Sequence, residues 1–183
     1  MKKKLRKEAL AKRKEIPTEE RAEKSRRITE HILQSEAYQR AETVFSFVSM
    51  DAEVETDEIL RQAWKDRKTV AVPKTKPDRE MIFLKIGSFA DLKEGRFGVR
   101  EPLGEEERVP KKGDLFLVPG ALFDRNKNRI GYGGGYYDTY FEKHQGYRKI
   151  GLAFSEQISE TAIPTEETDI PLDDIVTENG WEE

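Results

Sequence analysis

The chain has 183 residues, which fits a single domain over residues 1–183 with a substantial core, and 38% of them are charged against about 25% in typical domains. The net charge of only -3 argues against strong overall attraction to nucleic acid, and the lack of cysteine excludes disulfides, thiolate zinc sites and a cysteine nucleophile. No stretch suits a signal peptide or approaches the roughly 20 apolar residues of a membrane span, so we predict a cytoplasmic protein.

A basic helix is predicted at the N-terminus, over residues 2–14. Leu5 and Ala9 share a helical face that Lys12 interrupts and Ile16 resumes, so the apolar stripe is narrow and the helix should lie on the domain. Three roles are open for its charges: a solvated face, an arm for nucleic acid or acidic lipid, and a source of cations for a polyphosphate.

A second helix and a strand follow. Residues 17–20 open the helix, with Thr18 as the predicted N-cap and two acids in the first turn. Residues 43–49 are β-branched and aromatic, which is typical of a strand covered on both faces in a parallel sheet.

The segment after this strand is a candidate ligand site. Ligands usually bind at the carboxyl ends of strands in an open α/β sheet, and Met50 and Glu55 lie at such an end. The alternative is that Thr56 caps the next helix while Glu53 and Glu55 are simply solvated.

Two more strands are predicted, at residues 69–72, ending at Pro73, and at residues 81–86. Three basic residues between them face either the same pocket or water: Lys74, Lys76 and Arg79. A loop over residues 96–102 follows, shaped by glycine, proline and an aromatic residue.

A glycine-rich segment is the strongest signal in the chain. Residues 115–118 predict a short buried strand and residues 136–143 a helix. Four glycines stand just before that helix: Gly131, Gly133, Gly134 and Gly135. Such a run lets backbone amides approach a ligand, and the helix start favours an anion such as phosphate. The segment is neither a Walker A loop nor a dinucleotide fingerprint, and the alternative is a glycine-rich hairpin with packed tyrosines.

The acids near the C-terminus have several predicted roles. Asp138, at the start of the predicted helix, is placed where Mg2+ could bridge it to phosphate oxygens. A strand is predicted at residues 148–154 and a short one at residues 174–177, and Asp169 and Asp174 are predicted to be surface acids. Because strands alternate with helices, we predict an α/β fold with a mainly parallel sheet and helices on both faces.

Residues 129–138, RIGYGGGYYD, preceded by residues 118–124, VPGALFD, resemble the hallmark of the 5-formyltetrahydrofolate cyclo-ligase family, also called methenyltetrahydrofolate synthetase. Smaller similarities occur at both ends of the chain. The resemblance implies a three-layer α/β/α arrangement in one domain. It also places the loop over residues 96–102 near the site, where Phe97 would pack with Tyr136 and Tyr137 around the pterin or adenine.

The resemblance implies roles for individual residues. Lys2-x-x-Leu5-Arg6 matches an N-terminal element of the family's ATP site. The implied ATP-binding residues are Lys2, Lys3, Arg6, Gly131, Gly133, Gly134, Gly135, Tyr136 and Tyr137. Arg129 and Tyr136 are the candidate catalytic residues. Met50 and Glu55 would contact the folate, and Asp138 and Asp173 would hold Mg2+.

The implied reaction converts 5-formyltetrahydrofolate to 5,10-methenyltetrahydrofolate while ATP becomes ADP and phosphate. The implied partners are these two small molecules, with Mg2+ as cofactor, no nucleic acid, no membrane and a monomeric protein. Two alternatives stay open. One is a non-catalytic nucleic-acid binder that uses the basic helix and the Gly/Tyr loop, and the other is a different ATP-dependent ligase or kinase.

Overall fold

A computed structural model describes residues 1–95 and 98–183. Arg96 and Phe97, at the start of the predicted loop, therefore lie outside the described residues, and so does the packing predicted for Phe97. The α-helices are α1 (Lys2–Glu15), α2 (Thr18–Gln34), α3 (Glu36–Arg40), α4 (Asp57–Lys65) and α5 (Tyr136–Lys143).

The strands are numbered in chain order. They are β1 (Thr43–Ser46), β2 (Thr69–Thr75), β3 (Met81–Ile86), β4 (Leu92–Glu94), β5 (Arg100–Pro102), β6 (Glu107–Arg108), β7 (Leu115–Val118), β8 (Leu122–Phe123), β9 (Arg129–Ile130), β10 (Arg148–Leu152), β11 (Asp174–Thr177) and β12 (Gly180–Trp181).

Within the described residues, eight strands form the main sheet in the order β12-β11-β10-β7-β1-β2-β3-β6. Neighbouring strands from β11 to β2 run parallel. Strands β12, β3 and β6 pair antiparallel at the edges. Two small hairpins, β4-β5 and β8-β9, stand apart from this sheet.

Helices cover both faces of the sheet, which explains why its central strands are apolar throughout. Leu115 and Leu117 of β7 pack with α2 and α4, whereas Phe116 and Val118 pack with α5. All four are fully buried, and such burial stabilises by roughly 2 kcal/mol per side chain. The predicted fold class, a three-layer α/β/α domain with a mainly parallel sheet, is confirmed.

Some predicted element ends differ from the structure. β1 ends at Ser46, where its pairing with β7 stops. β2 runs through Pro73 to Thr75, because Pro73 pairs only with β3 and lies beyond the last β1 partner, so its missing N–H leaves no gap in the ladder. Thr18 is the first helical residue of α2, and Pro17 occupies the N-cap position. None of the helices in the described residues is long and apolar enough to cross a membrane.

Candidate active site

A cavity of about 450 Å³ opens at the carboxyl ends of β1, β2 and β7. It is lined there by Phe47 and Val48 after β1, Thr75 at the end of β2 and Pro119 after β7. β1 and β7 are neighbours from which the chain proceeds in opposite directions, to β2 on one side and to β10 on the other. Open α/β sheets usually bind ligands at such a switch of direction.

The glycine segment, residues 131–135, lines this cavity. Gly133 and Gly135 have φ of 100° and 70°, in the left-handed region that favours glycine. A Cβ on Gly134 would lie 2.6 Å from the Tyr136 ring. Gly135 is the N-cap of α5, so the segment leads into helix amides that favour an anion. The hairpin of β8 and β9 ends at Ile130, before these glycines.

Arg129 is a buried cation in the cavity wall, with 9% of its surface exposed. Its Nη1 donates to the carbonyl oxygen of Pro119 at 3.1 Å, and its Nε has no acceptor among the described residues. Burial lowers the pKa of Arg129, while the nearby Asp138 carboxylate acts in the opposite direction. Because a buried charge with an unused donor is costly, this position suits a bound anion.

α1 turns basic side chains, rather than an apolar stripe, toward the glycine segment. Arg6 Nε donates to the carbonyl oxygen of Gly131 at 2.8 Å. Arg6 and Lys2, four residues apart on one helical face, both line the cavity. Lys3 is exposed and is not among the lining residues, so the structure does not bring it to the others.

The buried face of α1 differs from the predicted one. Ala9 and Arg13 are its buried residues, whereas Lys12 is exposed. Sequence analysis missed Arg13, although a signal existed. Lys2, Arg6 and Arg13 recur at spacings of four and seven, which places three cations on one side of a helix.

Two aspartates, Asp138 and Asp169, are among the acidic residues that line the cavity. Asp138 Oδ1 accepts from the Ile170 amide at 3.1 Å. Asp169 accepts from Lys2 Nζ and, at 2.9 Å, from the Glu166 amide. Burial acts to raise the pKa of Asp169, but these hydrogen bonds outweigh it and hold the pKa below its ordinary value. Asp169 is therefore part of the cavity, and its prediction as a surface acid is wrong.

The structure places Asp173 elsewhere. Its Oδ2 accepts from the Lys149 amide at 2.7 Å and lies 3.4 Å from Lys149 Nζ. It lines a separate depression at the other end of the sheet. The predicted pairing of Asp138 with Asp173 thus gains no support from this arrangement.

The carboxylates of the cavity are possible ligands for Mg2+. The described parts of the chain hold no cluster of three or more histidine, cysteine or acidic side chains able to bind a metal ion. Mg2+ needs no such cluster, because one or two carboxylates together with substrate phosphates usually hold it. Asp138 and Asp169 provide two carboxylates in one cavity, which fits Mg2+ bound with a polyphosphate.

Of the two predicted folate contacts, the structure brings one to the cavity. Met50 lines it with 41% of its surface exposed. Glu55 is exposed and lines a neighbouring depression between α2 and α4. Thr56 stands at the N-cap position of α4, but its hydroxyl donates to the carbonyl oxygen of Phe47 at 3.0 Å instead of capping the helix.

Glu53 is the acid that sequence analysis missed in this segment. It is 8% exposed and lines the cavity, so the alternative in which Glu53 is simply solvated is wrong. Ala52 has φ of 68°, and the Glu53 amide turns back to the Met50 carbonyl at 3.1 Å. Because alanine rarely adopts this conformation, no local pattern indicates that Glu53 and not Glu55 faces inward.

Tyr136 and Tyr137 begin α5 and line the cavity. Tyr137 also packs edge-on against Phe116, with 6.4 Å between ring centroids, so it serves the core as well. The guanidinium of Arg129 lies 5.2 Å from the centre of the Tyr137 ring.

Further cations come from the segment after β2 and from the first residue of β5. Arg79 lines the cavity, whereas Lys74 and Lys76 are not among its lining residues. Arg100, from the described part of the predicted loop, also lines it. Its guanidinium is held by Asp57, with N–O distances of 2.8 and 3.2 Å.

Comparisons with known proteins give a consistent result. The model of the 5-formyltetrahydrofolate cyclo-ligase family matches residues 1–178. A probable 5-formyltetrahydrofolate cyclo-ligase of Caenorhabditis elegans is 33% identical over 177 residues, covering 89% of this chain and 85% of the relative. The Mus musculus 5-formyltetrahydrofolate cyclo-ligase is 32% identical, covering 90% and 87%. The NMR structure of Aquifex aeolicus 5,10-methenyltetrahydrofolate synthetase superposes with a TM-score of 0.87 at 31% identity, covering 99% of this chain and 91% of that one.

Proposed function

The chain belongs to the 5-formyltetrahydrofolate cyclo-ligase family, and from this premise we propose that the cavity binds ATP and 5-formyltetrahydrofolate together. The products are 5,10-methenyltetrahydrofolate, ADP and phosphate. The family predicted from the glycine motif is confirmed.

The buried guanidinium of Arg129 beside bare glycine backbone is the observation that carries the ATP half of the proposal. Its Nε lacks an acceptor among the described residues, and the negative charge of a phosphate in the cavity would offset the buried positive charge. The amides of residues 131–135 and the start of α5 add further donors. Lys2 and Arg6 supply positive charge from α1, and Tyr136 and Tyr137 flank the phosphates.

The folate half is supported by the wall that follows β1 and β7. Phe47, Val48, Met50 and Pro119 give it an apolar surface against which a flat ring system can pack. Glu53 is the acid in this wall, and its carboxylate can accept from N–H groups at a ring edge. This segment adjoins the glycine segment, because Tyr132 donates to Glu53 at 2.7 Å.

The proposed reaction has two steps and needs no protein nucleophile. The formyl oxygen attacks the γ-phosphorus of ATP, a new P–O bond forms, and the bond from that phosphorus to ADP breaks. N10 of the folate then attacks the formyl carbon. The five-membered ring closes, N10 loses its proton, and the C–O bond to phosphate breaks, so that inorganic phosphate leaves and carries that proton.

The protein acts mainly by position and charge. Arg129, Arg6 and Lys2 would hold the phosphoryl oxygens and balance the negative charge that spreads onto them. The apolar wall would keep the formyl oxygen in line with the γ-phosphorus, which converts an encounter of two substrates into a reaction within one complex.

Asp138 and Asp169 are the residues that would hold Mg2+. When bound, Mg2+ supplies positive charge that neutralises the phosphate oxygens. Lys2 Nζ donates to Asp169. The lysine would contact phosphate oxygens and the aspartate would help to hold Mg2+.

The inward face of α1 favours this function over nucleic-acid binding. Arg6 is bonded to Gly131, Lys2 to Asp169, and Arg13 is buried, so these three cations are directed into the domain. We therefore propose that the protein acts on small molecules and not on nucleic acid. We also propose that it is a monomer in the cytoplasm.

An absorbance assay tests the proposal. Purified protein is mixed with Mg-ATP and 5-formyltetrahydrofolate, and formation of the methenyl product is followed with ADP release. We expect equal amounts of both products, and none when ATP or Mg2+ is omitted. ATP hydrolysis without methenyl product would point to a different ATP-dependent ligase or kinase. Inactivity with salt-sensitive RNA binding would point to the nucleic-acid binder.

A further inference from the structure

A chain of hydrogen bonds connects α1, the glycine segment and the segment after β1. Arg13 Nη1 donates to the hydroxyl of Tyr132 at 2.8 Å. The Tyr132 hydroxyl donates to Glu53 Oε2 at 2.7 Å. The Met50 amide donates to Glu53 Oε1 at 2.8 Å. Each carboxylate oxygen of Glu53 thus has one protein donor.

The direction of the bond from Tyr132 is determined by donor chemistry. A guanidinium only donates hydrogen bonds, and a phenol has a single proton. Because Arg13 donates to the Tyr132 oxygen, the phenol proton remains for Glu53. Replacing Arg13 by a side chain that does not donate would free the hydroxyl to rotate and to accept or donate elsewhere.

The groups around Glu53 have opposing effects on its charge. Burial raises the pKa of Glu53, while the Met50 amide, the Tyr132 hydroxyl and the charge of Arg13 act to lower it. Arg13 is 7% exposed, and its Nε has no partner among the described residues. A buried arginine with an unpartnered Nε is costly in free energy, and its hydrogen bond to Tyr132 and the nearby Glu53 carboxylate offset part of that cost.

We propose that Arg13 is a positioning residue that acts through the Tyr132 hydroxyl to hold Glu53 as a hydrogen-bond acceptor facing the folate. This inference rests on the proposed function. Arg13 itself is not among the residues that line the cavity, whereas Tyr132 and Glu53 are. Its effect should therefore be larger on folate binding than on ATP binding, because Glu53 lies in the wall proposed for the folate.

The first test uses Tyr132→Phe, which removes one oxygen atom and keeps the ring. We expect the KM for 5-formyltetrahydrofolate to rise roughly tenfold, because a hydrogen bond to a charged group is lost, and the KM for ATP to change less. Tyr38→Phe is the matched control, since Tyr38 donates to the Asp66 carboxylate at 2.6 Å between α3 and the end of α4. It should lower thermal stability and leave both KM values at the wild-type level.

The second test is a double-mutant cycle. Arg13→Met alone should raise the KM for the folate, but in the Tyr132→Phe background it should add nothing, because its effect passes through the missing hydroxyl. Additive effects, or a Tyr132→Phe variant with wild-type KM for the folate, would overturn the inference while wild-type turnover upholds the proposed function. A wild-type protein without turnover would overturn both. If Arg13→Met does not fold, the KM of Tyr132→Phe for the folate still shows whether the Tyr132 hydroxyl supports folate binding.

Discussion

Two depressions lie at opposite ends of the same sheet, and the larger of them is the less suited to a charged ligand. The depression at the amino ends of β7, β10 and β11 measures about 1200 Å³, against about 450 Å³ for the carboxyl-end cavity. In the larger one, Arg148 is paired with Asp174, and Lys149 lies 3.4 Å from Asp173. In the smaller one, Arg129 is buried with an unused donor.

The difference shows that a buried cation with a donor unpartnered among the described residues, rather than cavity volume, distinguishes the two. Paired cations at an open surface already have their partners and gain little from a further anion. A buried guanidinium gains more free energy from a bound anion, because water does not solvate its charge. The glycine segment strengthens this contrast, since it presents backbone amides without side chains in the way.

The largest expected effect tests this contrast directly. We expect Arg129→Gln to lower turnover by on the order of a hundredfold, because a donor to the transferred phosphoryl group is lost. Lys149→Gln removes a paired cation from the larger depression and should leave turnover near the wild-type rate. Methenyl absorbance under saturating substrates measures both. Equal effects of the two substitutions would contradict the contrast.

The carboxylates provide the next comparison between the two ends of the sheet. Asp169→Asn should raise the Mg2+ concentration needed for half-maximal turnover by roughly tenfold or more, because it removes a charged oxygen from the proposed metal site. Asp173→Asn should have little effect. A Mg2+ titration at fixed ATP compares them, and the reverse order would return the metal role to Asp173.

A smaller effect is expected on α1, where inward and outward cations can be separated. Arg6→Ala should raise the KM for ATP roughly tenfold and change the KM for the folate less, since a cation beside the glycine segment is lost. Lys3→Ala, at an exposed position, should change neither. Initial rates with each substrate varied in turn give the answer, and an equal response to both substitutions would show that the orientation of α1 is irrelevant to ATP.

The smallest expected effect is on stability. It compares the pH dependence of unfolding when buried Glu53 or exposed Glu55 is replaced. Because burial raises the pKa of Glu53, the folded chain holds this proton more tightly than the unfolded chain does. The resulting stability is present below the ordinary pKa of 4.5 and is lost as pH rises through the raised folded value. Glu53→Gln avoids this loss.

Urea unfolding at about pH 4 and pH 7 measures the difference. The free energy of unfolding of Glu53→Gln, relative to wild type, should increase from the lower to the higher pH. Glu55→Gln should show no such increase. A constant difference for Glu53→Gln would mean that the carboxyl titrates in the folded chain as it does in the unfolded one.

The fold class and the glycine-rich wall of the cavity could be predicted because local residue types carry them. Buried strands such as residues 115–118 are apolar throughout, since both faces of the sheet are covered. The four glycines within residues 131–135 indicate a backbone without side chains, and a Cβ at Gly131 or Gly134 would collide with a neighbouring side chain. The family motif lies in this same segment.

The sequence alone thus determined the alternation of strands and helices and the bare segment before α5, because both follow from local apolar patterns and from missing Cβ atoms. Only the tertiary structure decided which acids share the cavity: Glu53 rather than Glu55, and Asp169 rather than Asp173. The first choice depends on a turn at Ala52 with positive φ. The second depends on where the chain before β11 crosses the first turn of α5, as the hydrogen bond from the Ile170 amide to Asp138 shows. Neighbouring acids of the same type differ only in the direction in which the folded backbone turns them.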